Sequence, residues 1–487
     1  MNTKPFVGVI LAVCVIATMA SCGWGRTSTV PVASRPTELP TPVTHFFTED
    51  FIYTTDGYGV TVIGYVGMSK HAVVPELIEG IRVTTVASMV SGRDFNDLGG
   101  VAIYSSYELE KSQKAAYGLI SITIPGSVTS IGDGAFYGCP NLIKIFVDAT
   151  NSHYKVADGV LFTKDGTVLV CHPAKMPNTA CAIPNGVTSI GAMAFSGCSG
   201  LTDIAIPEGV TNIGNRTFLN CSNLVTISLP HSLINMGDEV FYGCDHITNI
   251  TIPKGVTNIG ESVFYSCFAL SSITIPESVT SIGTQAFIYC RSLTSLVIPD
   301  GVVSIGENAF SNCYNLTSIT LPGSVVSIGD FAFASCTSLT NIEIDDSNKH
   351  YVAKGGALFT KDGATLICYP AGNNNAAYII PSGVTSIGNG AFFGCPNIIS
   401  ITIPDGVTSI GNVALAWCND LATLIIPSSV SSIGFYVFSG SYLTNITVDE
   451  ANSHYKVSDG ALRTLDGEVV TYLKVGSDER LHPLIGN

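Results

Sequence analysis

This sequence of 487 residues contains little charge. Only 12% of its residues are charged, about half the share usual in soluble proteins, so uncharged Ser, Thr and Asn must cover much of the surface. Its 37 acidic residues outnumber its 22 basic ones, which gives a formal net charge of −15. This balance disfavours nucleic acids and anionic membrane surfaces as direct partners.

Short motifs that carry enzyme chemistry are missing as well. The sequence contains no H-E-x-x-H, G-x-S-x-G or C-x-x-C motif and no glycine-rich phosphate loop. We therefore expect a protein without enzymatic activity, bound cofactor or metal site.

Long hydrophobic runs are absent except at the N-terminus. Within residues 1–21, Lys4 precedes an apolar run that ends near Ala17. The run is too short to span a membrane and predicts a signal peptide. It closes on M-A-S-C at residues 19–22, which resembles the signal of bacterial lipoproteins. The resemblance implies that Cys22 becomes the lipidated first residue of the mature protein, and a plain secretory signal cut nearby is the alternative.

A polar, proline-rich segment follows the predicted signal. Residues 22–44 carry four prolines among Ser and Thr, a composition that cannot build a hydrophobic core. We expect this segment to be a semi-extended tether that lifts the folded part away from the membrane. The membrane is then contacted through a lipid anchor only.

What the sequence has in abundance is an internal repeat. Eight of the ten intervals between its regularly placed prolines are 23 residues long, and the other two are 59, which is one repeat plus a 36-residue insertion. Such a period predicts a repeat architecture before any local propensity is considered. The prolines are Pro125, Pro184, Pro207, Pro230, Pro253, Pro276, Pro299, Pro322, Pro381, Pro404 and Pro427.

The repeating unit reads P-x-[GS]-V-T-[SN]-I-G-x-x-[AV]-F-x-x-C-x-x-L-T-x-I-x-I, as in Pro276 to Ile298, and its positions are counted here from the proline. Its apolar residues lie on short segments between turn residues and lack helical spacing, so V-T-S-I and L-T-S-I-T-I predict short strands. A unit this small cannot bury its own apolar face. We therefore predict a solenoid of mostly short parallel strands with one continuous core.

Ten cysteines occupy position 15 of successive units, and Ser441 takes this position in the last one. Such a column permits a row of metal ligands, a run of disulfides or a stack of small buried residues. Stacked strands about 4.8 Å apart favour neither metal nor disulfide geometry, so we predict buried free thiols. The ten are Cys139, Cys198, Cys221, Cys244, Cys267, Cys290, Cys313, Cys336, Cys395 and Cys418.

Three further cysteines lie outside this column. Cys171 and Cys368 take equivalent places in the two insertions, so we expect both to be packed. A disulfide between Cys171 and Cys181 stays open, but the second insertion does not support it, because Tyr378 replaces the second cysteine there.

The insertions near residues 148–183 and 345–380 share the pattern N-x-H-Y-x-V-x-x-G-x-L-F-T-K-D-G, and a third copy begins at Asp449. Their D-G pairs predict tight hairpin turns. We expect the last copy to cap the C-terminal end of the solenoid, and the two internal copies to be candidates for projecting flaps that contact a ligand. His153, His350 and His454 recur in these copies, where bracing of the hairpin is favoured over metal or acid/base chemistry.

The repeat consensus resembles the BspA-like class of leucine-rich repeats, which is found in bacterial surface antigens and some protist surface proteins. The resemblance covers residues 125–448 strongly, and residues 60–67 and 73–86 resemble the opening cap of that family. The sequence thus divides into a signal peptide (1–21), a lipidated tether (22–44), an N-terminal cap with degenerate repeats (45–124), the solenoid (125–448) and a C-terminal capping hairpin (449–487).

Two surfaces are candidates for binding. On the I-x-I strand, the side chains that point away from the core on the predicted concave face are mostly Ser, Thr and Asn, with Lys144, Asp203 and Glu343 as isolated charges. Positions 13 and 14 carry aromatic residues instead, which are frequent in binding hot spots, although such residues also stabilise by covering a core. These ligand-binding candidates are Tyr137, Tyr242, Tyr265, Tyr289, Phe393 and Trp417.

Together these features predict a lipid-anchored protein of the cell envelope, at the outer membrane and exposed at the surface, that acts as an adhesin or ligand-binding protein. The family resemblance implies extracellular-matrix proteins or cell-surface partners, and the polar strand surface also suits a glycan. The alternatives are a structural envelope lipoprotein and a periplasmic binding protein without host contact.

Overall fold

The fold is a stack of coils, one for each copy of the repeat. A computed structural model describes residues 46–89 and 106–473, so the predicted signal peptide, Cys22 and the tether lie outside the described residues. Residues 23 apart lie side by side: Ser281 pairs with Ser304, and Ser304 pairs with Ser327. The predicted solenoid of short parallel strands is confirmed.

The first wall of the solenoid contains the strands of the I-x-I segment. Their residues alternate between exposed and buried, as in Asn249–Thr251, because every second side chain of a strand points to the same face. Within the described residues this wall consists of five short sheets, and within each sheet neighbouring strands pair in parallel. They are β4 (His71–Val73), β7 (Ser121–Ile124), β9 (Lys144–Val147), β13 (Ala180–Ala182), β15 (Asp203–Ala205), β17 (Thr226–Ser228), β19 (Asn249–Thr251), β21 (Ser272–Thr274), β23 (Ser295–Val297), β25 (Ser318–Leu321), β27 (Asn341–Ile344), β31 (Ala377–Ile379), β33 (Ser400–Thr402), β35 (Thr423–Ile426) and β37 (Asn445–Val448).

The second wall contains the two-residue strands at positions 6 and 7. The Ser or Asn at position 6 lies nearer the surface, and the apolar residue at position 7 faces the core, as in Asn258–Ile259. These strands are β8 (Ser130–Ile131), β14 (Ser189–Ile190), β16 (Asn212–Ile213), β18 (Asn235–Met236), β20 (Asn258–Ile259), β22 (Ser281–Ile282), β24 (Ser304–Ile305), β26 (Ser327–Ile328), β32 (Ser386–Ile387), β34 (Ser409–Ile410) and β36 (Ser432–Ile433).

The third side of each coil, which we call the turn face, consists of positions 9 to 14 and contains no strands in the described coils. Its backbone still bonds from coil to coil: the amides of Arg216 and Asn220 donate to carbonyl oxygens of the next coil over 2.8 and 2.7 Å. Positions 10 and 14 have positive φ, 58° at Arg216 and 57° at Asn220. Glycine and asparagine suit such positions, since a larger side chain strains the left-handed conformation.

A column of aromatic rings fills the core behind the turn face. From His172 through the phenylalanine of position 12 in each coil as far as Phe333, neighbouring ring centroids lie 5.1 to 5.7 Å apart with nearly parallel planes. Each stacked pair adds about 0.5–1.5 kcal/mol beyond the area that it buries. The rings therefore tie successive coils together.

The position-15 cysteines form the predicted column of buried free thiols. Most of these thiols also donate a hydrogen bond to the preceding coil. Cys221 Sγ, for example, donates to the carbonyl oxygen of Phe195 over 3.0 Å. Burial raises the pKa of Cys221 to about 12, so the thiol stays protonated as a donor. Cys171 and Cys368 are packed as expected, and Cys171 and Cys181 are free thiols without a disulfide.

The hairpin strands of the insertions continue the second wall, and β13 and β31 at the ends of the two internal insertions belong to the first wall, so the expectation of projecting flaps is wrong. In the first insertion, the last strand, β12, pairs in parallel with β14 of the next coil, because its backbone continues the solenoid sheet. The second insertion repeats this pairing between β30 and β32. The nine strands of the three copies are β10 (Tyr154–Ala157), β11 (Val160–Thr163), β12 (Val168–Cys171), β28 (Tyr351–Lys354), β29 (Ala357–Thr360), β30 (Thr365–Cys368), β38 (Tyr455–Ser458), β39 (Ala461–Thr464) and β40 (Val469–Tyr472).

A buried asparagine anchors each hairpin. Asn151 Nδ2 donates to the carbonyl oxygens of Pro125 and Val128 over 2.8 and 2.9 Å, and its Oδ1 accepts from the amides of His153 and Tyr154. Asn348 and Asn452 make the same four contacts in the other copies.

The histidine rings do not brace these hairpins as we expected. The side chains of His153, His350 and His454 are exposed, and the Nδ1 of His153 lies 3.0 Å from the hydroxyl of the neighbouring Ser152. The recurring histidine contributes backbone groups, whereas the buried asparagine holds the chain.

The N-terminal part of the described chain begins both walls. Strands β1 (Phe46–Phe47), β2 (Phe51–Thr55) and β3 (Val60–Tyr65) form an antiparallel meander, and β3 continues in parallel through β6 (Ile81–Val86) to β8. Strand β5 (Leu77–Ile78) pairs with β6. The one helix of the described residues is α1 (Ser106–Gly118), and no helix within residues 46–89 and 106–473 has the length and hydropathy to cross a bilayer.

Candidate functional site

The outward face of the first wall is exposed, as its alternating pattern predicts, and mostly polar, with apolar exceptions such as Val297, Ile379 and Ile425. Ser272, Thr274, Ser318 and Thr320 are exposed, and so are the isolated charges Lys144, Asp203 and Glu343. At position 19 beside this face, hydroxyl groups bond back to the scaffold. Thr317 Oγ1, for example, donates to the carbonyl oxygen of Thr294 over 3.1 Å. Those hydroxyls are therefore committed to the stack of coils.

The aromatic residues of positions 13 and 14 lie on the turn face, and three of them meet. The rings of Tyr242 and Tyr265 stack with centroids 4.3 Å apart and planes 3° apart. Tyr289 meets Tyr265 edge-on at 6.0 Å. Tyr242 and Tyr265 are half-buried, so each presents part of its ring to solvent. We call these three side chains the tyrosine cluster.

Phe393 and Trp417 lie away from the tyrosine cluster, whereas Tyr137 is close enough to Tyr242 to contribute to the raised pKa of Tyr242. Tyr137 belongs to a coil before the first insertion. Phe393 is only 5% exposed and packs in a small apolar group with Trp417 and Phe331. Phe393 is therefore a packing residue, because the coil that precedes the second insertion covers its ring.

Trp417 lies flat against the next coil. A Cβ atom placed on Gly440 would come within 2.6 Å of its indole ring, so only glycine leaves room for this contact. Trp417 thus covers the scaffold, as the alternative interpretation of the aromatic residues expects.

Tyr289 occupies a strained backbone position. Its φ of 65° falls in the left-handed region, where a bulky side chain costs about 1–2 kcal/mol. Position 14 of the other coils, apart from Trp417, carries Gly, Asn or Ser. Tyr289 is only 9% exposed, so the cluster meets solvent mainly through Tyr242 and Tyr265.

Three residues beside the tyrosine cluster were missed in the sequence, because position 16 is variable in the repeat. Phe268, Arg291 and Tyr314 take this position in three successive coils. The guanidinium carbon of Arg291 lies 4.5 Å from the ring centroid of Phe268, 5.7 Å from that of Tyr314 and 5.4 Å from that of Tyr289. The signal in the sequence is that three successive coils carry large side chains at position 16, where the other coils, apart from Tyr442, carry Pro, Ser, Thr, Asp or Asn.

The hydroxyls of Tyr242 and Tyr314 stay neutral at physiological pH, because the pKa of each is raised. Burial, followed by the neighbouring Tyr265, raises the pKa of Tyr242. Burial also raises the pKa of Tyr314, although the Arg291 charge works in the opposite direction. Neutral hydroxyls both donate and accept hydrogen bonds, so the surface offers aromatic area with polar ends.

Acidic side chains border the same coils on the turn face. Burial raises the pKa of Glu261 and of Glu307, and in each case a neighbouring aspartate adds to the shift. Among the described residues, no group of three or more His, Cys, Asp or Glu side chains has the arrangement of a metal site.

The repeat is the feature that decides the family. Residues 110–157, 174–294, 281–355 and 371–466 match the model of the BspA type leucine-rich repeat region. The chain belongs to this family. BspA-type repeats thus account for more than half of its length, and the resemblance stated from the consensus is confirmed. No curated protein matches the chain.

Solved bacterial structures of leucine-rich repeat proteins resemble this BspA-type chain. A leucine-rich repeat protein from Bacteroides ovatus is 20% identical, with 81% of this chain and 95% of that chain covered and a TM-score of 0.41. A leucine rich cell surface protein from Faecalibacterium prausnitzii is 23% identical, with 84% and 96% covered and a TM-score of 0.34. The pneumococcal vaccine antigen PcpA is 18% identical, with 85% and 84% covered and a TM-score of 0.29.

Proposed function

We propose that this BspA-type protein is a lipid-anchored cell-surface protein that binds ligands as an adhesin. The anchor is Cys22, and residues 22–44 lift the solenoid from the outer membrane. The partners are extracellular-matrix proteins or glycans. No catalytic step is part of this function.

The observation that carries the proposal is the tyrosine cluster with its neighbours. The scaffold positions of the repeat are nearly constant, so recognition falls to variable positions, and positions 13, 14 and 16 of the central coils carry Tyr, Phe and Arg. Tyrosine and arginine are the residue types most enriched in binding hot spots. Position 14 is left-handed in every coil from Pro125 to Pro427, and Tyr289 is a bulky residue at a place where Gly, Asn or Ser would be less strained.

A single cluster of this size supports a modest affinity. Many copies on one cell would engage a multivalent partner together, and the second and later contacts then form at high effective concentration. Strong attachment therefore needs no deep pocket.

The test is binding of the purified full chain to a panel of matrix proteins and glycans. The Y242S/Y265S/Y289S variant should lose saturable binding at least tenfold. The matched control replaces three exposed tyrosines of other regions, Tyr58, Tyr117 and Tyr472, and should bind as the unchanged chain does. Equal binding by the two triple variants would contradict the location of the site, and no binding to any panel member would contradict the function.

A structural role in the envelope is the second candidate. Val297, Ile379 and Ile425 are 83%, 72% and 63% exposed on the first wall, and apolar groups on a wall favour packing against another copy. Sedimentation of the full chain separates the two functions, since an adhesin stays monomeric and a lattice protein self-associates. Protease treatment of intact cells distinguishes surface display from a periplasmic location.

A further inference from the structure

Arg291 is held between aromatic rings of the neighbouring coils. Phe268 belongs to the coil before it and Tyr314 to the coil after it, and both rings lie within cation–π distance of the guanidinium. Tyr289 approaches from its own coil. Tyr314 is itself fixed, because its hydroxyl donates to Asn312 Oδ1 over 3.1 Å. The guanidinium is therefore oriented before any ligand arrives.

Arg291 has no ion-pair partner in the part of the chain that the structure describes. Its Nε atom is also buried without a hydrogen-bond partner among those residues. Arg216, by contrast, pairs with Glu239 over 2.8 Å. Buried donors without partners reduce stability, and in a native protein they call for an explanation.

Carboxylates are plentiful in the coils around Arg291, yet none neutralises it. Between Pro230 and Ile344 the sequence has nine acidic residues and two basic ones, Lys254 and Arg291. An arginine that is kept apart from so many carboxylates is available to an anion from outside. Aromatic rings lie over the guanidinium and its Nε is buried, so the two terminal nitrogens are the donors left for a carboxylate, which they match through two parallel hydrogen bonds.

We infer that Arg291, framed by Phe268, Tyr289 and Tyr314, binds the carboxylate of an acidic polysaccharide. This inference rests on the proposed function and names its ligand class. The stacked, half-buried rings of Tyr242 and Tyr265 continue the surface beyond Tyr289. Such amphipathic rings suit the apolar faces and hydroxyl groups of sugar units on either side of the carboxylate.

The charge of the region favours a polysaccharide over an acidic polypeptide. The nine carboxylates of these coils repel a partner with densely spaced negative charge. A polysaccharide in which charged and neutral sugars alternate presents one carboxylate at a time. It satisfies Arg291 while its neutral units lie along the neighbouring coils.

The experiment is calorimetric titration of the purified full chain with a hyaluronan decasaccharide, whose carboxylates alternate with neutral sugars. The same oligosaccharide with its carboxyl groups reduced to alcohols is the matched ligand control. We expect saturable binding of the acidic form and at least tenfold weaker binding of the reduced form. R291Q should weaken binding of the acidic form at least tenfold, and R216Q, which alters a paired arginine, should leave it within twofold.

R291K separates a loss of ligand contacts from a loss of packing. Lysine keeps the aliphatic stem and the charge but lacks the paired N–H groups of arginine. We expect at least fivefold weaker binding with an unchanged melting temperature. The inference is overturned if the acidic oligosaccharide does not bind, if its reduced form binds equally, or if R291Q and R291K bind as the unchanged chain does. Failure of this inference can be distinguished from failure of the proposed function. If the proposed function fails, no member of the wider panel binds, and the triple tyrosine variant shows no loss of binding.

Discussion

The thiol of Cys267 donates a hydrogen bond to the carbonyl oxygen of Phe241 in the preceding coil, with 3.2 Å between the sulfur and the oxygen. The same bond recurs along the column, and in the last coil Ser441 Oγ makes it to Leu415 over 2.6 Å. Position 15 therefore selects a small buried donor, which explains why serine replaces cysteine there.

The effect of substituting Cys267 on stability should depend on whether the new side chain is small and can donate a hydrogen bond. C267S keeps the donor and should change the free energy of unfolding by less than about 1 kcal/mol, whereas C267A loses one hydrogen bond and should cost about 1 kcal/mol. C267N forces extra atoms into a packed column and should cost about 1–3 kcal/mol. Urea unfolding measures all three, and an unchanged midpoint for C267N would contradict the buried column.

The thiol column should make the protein sensitive to alkaline pH. Burial raises the pKa of Cys221, Cys313 and Cys418 to about 12 from an ordinary value of 9.0. Between pH 9 and 12 the unfolded chain loses thiol protons that the folded chain keeps, so stability falls by up to about 1.4 kcal/mol per pH unit for each cysteine.

Unfolding measured from pH 8 to pH 11 tests this dependence. The C221S/C313S/C418S variant should show a shallower loss of stability than the unchanged chain, because serine does not titrate in this range. Identical slopes for the two proteins would refute the contribution of these thiols.

His172 should destabilise the fold in acid. Its ring is 4% exposed and stacks on Phe195 with centroids 5.1 Å apart, and burial lowers its pKa to about 4 from 6.5. As the pH falls from 6.5 towards 4, the unfolded chain takes up a proton that the folded chain excludes. Stability then falls by roughly 3 kcal/mol in total.

The second insertion supplies the matched variant for His172. Tyr369 takes the corresponding place there and lies 5.2 Å from the ring of Phe392. H172Y should therefore fold and should lose the part of the acid destabilisation that His172 causes. H153Q, which changes an exposed histidine, should keep that destabilisation. The check is the melting temperature at pH 7 and pH 4.5, and an equal acid shift in H172Y and the unchanged chain would count against this role.

Asn151 should contribute far more than His153 to the stability of the first hairpin. N151A removes four hydrogen bonds and leaves buried backbone groups unpaired, at about 1–3 kcal/mol for each group that finds no water. H153A changes an exposed ring and should stay within about 0.5 kcal/mol. Hydrogen exchange of residues 154–171 reports on the hairpin, and equal protection in the two variants would argue against the anchor.

Much of the fold could be predicted from the sequence, because every coil needs the same contacts and so carries the same residue types at the same positions. The spacing of Pro276 and Pro299 gives the length of one coil, and the alternation in Ser272–Thr274 gives the outward face of the first wall. The buried column of Cys267 followed from stacking of equal positions. The recurrence of the histidine at position His153 misled the prediction. All residues of the hairpin motif recur together, so recurrence does not show that the asparagine, and not the histidine, holds the hairpin.

The candidate site could be predicted only in part. Tyr242, Tyr265 and Tyr289 share positions that a repeat alignment brings together, and they do meet. Arg291 could not be found in this way, since its partners Phe268 and Tyr314 lie at variable positions of different coils.

By itself the sequence determined the solenoid, its 23-residue coil and the residues that line its core, because a contact repeated in every coil is visible as a periodic pattern. Only the tertiary structure decided that the hairpin strands of the insertions continue the second wall, that Phe393 is covered, and that Arg291 is framed by rings without an ion pair in the described residues. Those features depend on side chains that occur once, in coils about 23 residues apart, and single contacts between variable positions leave no pattern in one sequence.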